Sequence, residues 1–124
     1  MDINITKLNK LYQYLTEIRE TVKLYHFQCK TYSEHKASDE FINKFDDLYD
    51  TLLEIYQGEL NKRITGLSFN IKINSIISKS KIIKYMKEFK IILIDLKNHS
   101  NDFNNIRDEI LVIVNRFLYL LTFN

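Results

Sequence analysis

Four stripes of apolar residues at helical spacing constrain the fold of this chain more than any other feature. Apolar residues that recur every three or four positions cover one face of a helix, and that face packs against a core. The stripes predict helices over residues of about 4–29, 32–57, 74–97 and 101–121. The 124 residues contain no proline and two glycines, so no linker rich in either divides the chain. We therefore predict one all-α domain over residues 1–124.

The predicted helix ends suggest how these helices connect. Thr31 and Glu34 match a capping box that starts the second helix, and Gly58 is a natural stop for it. A helix of about 25 residues is roughly 38 Å long, whereas the 15 or so residues of the connection 58–73 extend to roughly 50 Å. The strand-like alternation in 67–73 has no partner strand and is interpreted as loop. We expect a ferritin-like four-helix bundle, with two antiparallel hairpins joined by a long crossover.

Composition excludes several classes of function. Cys29 is the only cysteine, which rules out an intrachain disulfide framework and favours a reducing, cytoplasmic location. Neither a signal peptide nor a membrane span is predicted, so no membrane partner is expected. The formal net charge of +2 is too small to indicate nucleic acid. The lysines of the third helix are interpreted as a solvated face, because no aromatic residues alternate with them.

Five candidate metal ligands lie between the end of the first helix and the end of the second. They are His26, His35, Asp39, Asp50 and Glu54. Imidazole and carboxylate ligands suit Fe(II), Mn(II) or Zn(II). On a helical wheel the acidic residues lie away from the predicted core face. Asp39 and Asp50 are about 16 Å apart along one helix, so a shared metal requires two copies packed antiparallel about a two-fold axis.

The pattern His26-Phe27 followed by His35-x3-Asp39-x10-Asp50-x3-Glu54 resembles the ferroxidase signature of Dps-type miniferritins. The resemblance covers roughly residues 20–58. It implies that His26, His35 and Asp39 of one subunit share iron with Asp50 and Glu54 of its mate. It further implies iron oxidation by peroxide or oxygen and storage in a closed homo-oligomeric shell. The chain differs from the family in a shorter spacing from His26 to His35, in Phe27 where tryptophan is usual, and in lacking a lysine-rich tail.

Two other interpretations stay open. Individually, His26 is typical of a packed histidine, and the acidic residues are typical of the wet face of an amphipathic helix. The alternative to metal binding is a non-catalytic helical structural or interaction protein that self-associates. Residues 105–122 also resemble the ends of small helical proteins from large DNA viruses and phages, which implies a location in host cytoplasm or in a virion.

Overall fold

Four helices make up the computed structural model, which describes residues 3–66, 68–96 and 100–123, with side chains described from Thr6 onward. The helices are α1 (Ile3–Gln28), α2 (Tyr32–Leu60), α3 (Lys79–Asp95) and α4 (Asn101–Leu120). Within these ranges no residue forms a strand, including residues 68–73 of the strand-like segment. The prediction of an all-α fold with four helices is confirmed.

Side-chain caps fix where the helices begin. The side-chain oxygens of Thr31, Ser78 and Ser100 accept the backbone N–H groups of the residues three positions later, at 3.2, 3.3 and 3.1 Å. Thr31 therefore starts α2 as predicted. The third helix starts at Lys79 instead of residue 74, because Ser78 supplies the cap and residues 74–78 stay outside the helix. Residues 97–99, which include the predicted end of the third helix, lie outside the described part of the chain.

Asn61, not Gly58, ends α2. Asn61 adopts a left-handed φ of 51°, and its backbone N–H reaches the carbonyl oxygens of Gln57 and Gly58. Asparagine tolerates this conformation better than most residues with a Cβ. Gly58 is an ordinary position of the last helical turns, and a Cβ added there would meet no atom within 4 Å. The prediction that Gly58 stops the helix is wrong.

The crossover 61–78 runs along α1 and sets the direction of α3. Amide side chains of α1 hydrogen-bond to its backbone in sequence: Asn9 to Thr65, Gln13 to Asn70, and Gln28 to Ser75 and Ile77. At the far end, Lys79 lies 4.0 Å from the Glu34 carboxylate and donates to the Phe123 carbonyl oxygen at 3.0 Å. Helix α3 therefore starts beside the start of α2 and runs parallel to it.

Helix α4 returns in the opposite direction. Ser100, its N-cap, hydrogen-bonds to Glu59 near the end of α2. Around the bundle α1 adjoins α2, α2 adjoins α4, α4 adjoins α3, and α3 adjoins α1. The diagonal pairs of the described helices meet only through side chains, such as Tyr25 with Phe117 and Phe45 with Phe89. The chain thus forms two antiparallel hairpins, α1–α2 and α3–α4, connected by one long crossover.

The core lies where the four helices face one another. Its largest fully buried side chains include Tyr25, Phe45, Phe89, Phe103 and Phe117. In the third helix the buried face is formed by Ile82, Met86, Phe89 and Leu93. Ile83 is only partly buried, and Ile76 precedes the helix and is 70% exposed. Because apolar residues occupy one face and charged residues the other, no helix in the described ranges is apolar enough to cross a membrane.

Candidate metal centre

His26 lies near the end of α1 with only 8% of its surface exposed, and its orientation is set by α2. The His26 Nδ1 atom is 2.9 Å from the Ser38 hydroxyl oxygen. That hydroxyl lies 2.9 and 3.0 Å from the carbonyl oxygens of Glu34 and His35 and donates its single proton to them. Ser38 must then accept from His26. A neutral imidazole that donates to Ser38 is protonated on Nδ1 and carries its lone pair on Nε2.

His35, on the first turn of α2, lies against the same ring, and Asp39, one turn later, acts on it through its charge. The His35 ring stacks on that of His26 with centroids 4.1 Å apart. Burial is the largest cause of a lowered pKa of His26, and His35 and Lys23 lower it further, against the opposing charge of Asp39. His26 is accordingly held in its neutral form, which is the form that ligates metals. The structure thus stacks two of the five predicted ligands, His26 and His35, on each other, with Asp39 one turn further along α2.

Asp50 and Glu54 form a second group on the outer face of α2. Both side chains are exposed. A hydrogen bond between the two carboxyl groups, together with the charge of Asp50, raises the pKa of Glu54. The i, i+4 spacing therefore places the two carboxyls against each other, as the helical geometry predicts.

The two groups do not meet within one copy of the chain. In the described part of the protein, no three His, Cys, Asp or Glu side chains surround a single point that would hold a metal ion. This agrees with the helical distance of about 16 Å between Asp39 and Asp50. The site shared between two copies stays a prediction, because a single chain neither forms nor excludes it.

Two supporting residues escaped the sequence analysis. Ser38 stands three positions after His35, a spacing that places it beside that residue, but a serine in a helix gives no signal of contact with another helix. Arg19 of α1 forms a salt bridge with Asp46, with its Nε atom 3.0 Å from the carboxylate, so Asp46 is not one of the free acidic residues of α2.

Cys29 donates its S–H to the His26 carbonyl oxygen at 3.3 Å, and burial raises the pKa of its thiol. It is therefore not a ready thiolate ligand.

The fold and these residues define a class: a four-helix protein with two groups of potential metal ligands on one hairpin. The profile of a protein family, described as a family of unknown function (DUF5856), matches residues 26–121. The chain belongs to this family. The matched region begins at His26 and contains all five predicted ligands, the crossover and helices α2 to α4. No curated protein and no solved structure matches the chain.

Proposed function

We propose that this protein is a ferritin-like, Dps-type protein that captures Fe(II) at an interface between two antiparallel copies of α2. His26, His35 and Asp39 of one copy would bind the ion together with Asp50 and Glu54 of the other. Iron is the cargo of this site, and Mn(II) or Zn(II) would suit the same donors. Oxidation by peroxide or oxygen, storage in a larger closed shell and a cytoplasmic or virion location belong to the same proposal.

The helix order supports the ferritin-like assignment. In an up-down-up-down bundle with short loops, α2 would lie beside α3. Here α2 lies beside α4, and the crossover travels the length of α1 before α3 begins. This is the arrangement expected when one long connection joins two antiparallel hairpins.

The spacing of the ligands along α2 supports a two-fold arrangement. The midpoint between His35 and Glu54 falls between Lys44 and Phe45, and the midpoint between Asp39 and Asp50 falls at the same place. A two-fold axis crossing α2 there would therefore bring both pairs opposite each other at once. A solvated face would not require the two pairs to share a centre.

The observation that carries the proposal is the orientation of His26. Metal-binding histidines usually donate the N–H of the ring nitrogen that does not bind the metal to a neighbouring acceptor. This hydrogen bond fixes the tautomer and orients the ligating nitrogen. The Ser38 hydroxyl, with no exposed surface, has this role at His26. An ordinary packed histidine also needs a hydrogen bond, so the arrangement must be tested by metal binding itself.

The test is an anaerobic titration of purified protein with Fe(II), and separately with Mn(II), followed by equilibrium dialysis. We define a histidine-side variant, His35→Ala/Asp39→Ala, and an acid-side variant, Asp50→Ala/Glu54→Ala. We expect wild type to bind one ion per chain and both variants to lose this binding. The control variant Glu88→Ala/Asp95→Ala removes two acidic residues from α3 and should bind like wild type.

Mixing the two variants tests whether the site is shared. In a mixed two-fold pair, one of the two sites keeps an intact histidine side and an intact acid side. An equimolar mixture should therefore recover at least about one quarter of the wild-type capacity. If wild type binds no ion, the protein is not a metal carrier. If wild type binds but the mixture recovers nothing, the ligands are not shared between copies.

The second candidate is a non-catalytic helical interaction protein. It is favoured by the large apolar side chains on the surface, among them Phe27, Tyr32, Ile91 and Val112 at 62–75% exposure. Exposed groups of this kind mark contact surfaces more often than metal sites. The same titration separates the two candidates, because this one requires no metal.

A further inference from the structure

The outer face of α3 carries four exposed residues in one line, which we call the α3 stripe: Lys84, Lys87, Ile91 and Ile94. Their spacing of three, four and three places them along one side of the helix. The opposite side faces the core through Ile82, Met86, Phe89 and Leu93. Ile91 and Ile94 are 62% and 49% exposed. Within the described residues, Lys84 and Lys87 form no salt bridge. This face therefore has positive charge without an acidic partner beside apolar surface that no other side chain covers.

A groove with the complementary character lies between α2 and α4. The α2/α4 groove is lined by Lys44, Asp47, Leu48, Glu109, Val112 and Ile113, with a volume of about 470 Å³. Its floor is apolar, and Val112 is 64% exposed. Asp47 of α2 and Glu109 of α4 line this groove, are exposed, and make no salt bridge in the described ranges. The Lys44 ammonium lies 3.2 Å from the Glu40 carboxylate and is matched there.

We propose that the α3 stripe of one copy docks in the α2/α4 groove of a second copy of this chain. Ile91 and Ile94 would cover the exposed Val112, and Lys84 and Lys87 would face Asp47 and Glu109. Charge complementarity selects this occupant, because the two unmatched lysines and the two unmatched carboxylates flank apolar surfaces on the same chain. An apolar partner without carboxylates would leave both lysines unmatched.

This contact is heterologous, because the stripe and the groove are different surfaces. Each copy can then use its stripe toward one neighbour and its groove toward another, so the contact builds a closed ring or an extended filament. It involves neither His26 nor any other proposed ligand. It therefore does not rest on the metal site and requires no cation.

The experiment uses a stripe variant, Lys84→Glu/Lys87→Glu, and a groove variant, Asp47→Lys/Glu109→Lys. Mass is measured by light scattering after size-exclusion chromatography, over a range of concentrations and in chelator to exclude bridging by metal. We expect wild type to assemble with rising concentration and each variant to stay monomeric. Their equimolar mixture should assemble again with the two variants alternating, because the intact stripe meets the intact groove and the reversed stripe meets the reversed groove.

A chain carrying all four substitutions should assemble again, since its reversed charges are still opposite. The control variant Lys7→Glu/Lys10→Glu changes the net charge as the stripe variant does, but on α1, and should assemble like wild type. A wild-type protein that stays monomeric, or a mixture of the two variants that stays monomeric, would overturn the proposal. So would a stripe variant that assembles normally but loses binding to phosphatidylserine vesicles, because the stripe would then face lipid.

Discussion

The hydrogen bond between Ser38 and His26 gives the most direct test of how α2 organises the proposed ligands. The variant Ser38→Ala removes the hydroxyl oxygen that accepts from the His26 Nδ1–H at 2.9 Å. It leaves this N–H without that acceptor in a ring that is only 8% exposed. An unsatisfied buried donor costs about 1–3 kcal/mol. Alanine regains about 0.5 kcal/mol in helix propensity. The His35 backbone also hydrogen-bonds to the His26 ring and limits the loss. We expect a net destabilisation of about 1 kcal/mol.

The assay is urea unfolding followed by far-ultraviolet circular dichroism near neutral pH, applied to a double-mutant cycle. The cycle combines Ser38→Ala with His26→Phe, which keeps an aromatic ring but has no donor. The loss from Ser38→Ala should then disappear, giving a coupling free energy of about 1 kcal/mol. In thermal unfolding the single variant should lose about 4 °C. Its cation affinity should fall tenfold or more if His26 is a ligand.

The result that refutes this reasoning is a coupling free energy under about 0.3 kcal/mol, the range of additive sites. Ser38 would then stabilise α2 only through its own backbone contacts. The tautomer assigned to His26 would lose its basis, and with it the main support for the metal site. A normal coupling with unchanged cation affinity would instead keep the hydrogen bond and remove His26 from the ligand set.

Three further predictions concern stability. Because the pKa of His26 is lowered in the folded protein, the unfolded chain takes up the proton first as the pH falls. The unfolding free energy should therefore be constant above about pH 6.5 and should decrease below it. Urea midpoints against pH should show this slope in wild type and a weaker one in His26→Phe. Gly58→Ala should raise the unfolding free energy by about 0.5–1 kcal/mol, since a Cβ meets nothing there. Asn61→Gly should also stabilise the protein, because it removes left-handed strain. A loss of stability in Gly58→Ala would mean that Gly58 has a capping role. Ile82→Ala should cost about 3 kcal/mol and Ile83→Ala less than half of that, because only Ile82 is fully buried; equal losses would refute the orientation of α3.

The sequence predicts the helices well because long apolar stripes leave few alternatives. It predicts their ends less well, because several residues compete for each cap. Gly58 has the stronger general preference for a helix end, but α2 continues two residues further and Asn61 accepts the left-handed conformation. At α3 the isoleucines of residues 76–77 suggest an earlier start, yet Ser78 offers the first N–H acceptor with suitable geometry.

The side-chain contacts of the candidate site fall into two kinds, those within one helix and those between helices. The contact of Asp50 with Glu54 follows from their spacing of four residues. The stacking of His26 on His35 follows from the short turn between α1 and α2, which the capping box at Thr31 predicts. The partner of His26 does not follow, because the rotation of α2 against α1 decides whether Ser38 faces that ring. Contacts with a second copy depend on surfaces that apolar periodicity does not describe.

The three amides that hold the crossover against α1 also bear on aggregation. Residues 68–73 alternate polar and apolar side chains, a pattern that readily adds to the edge of a β-sheet. The Gln13 side chain takes the backbone N–H of Asn70 inside this segment, and the side chains of Asn9 and Gln28 take those of Thr65 and Ile77 on either side of it. These N–H groups would otherwise be open to another strand. Helix α1 thereby shields a strand-like segment from intermolecular pairing. Loss of these amides should promote fibril formation by an otherwise folded protein.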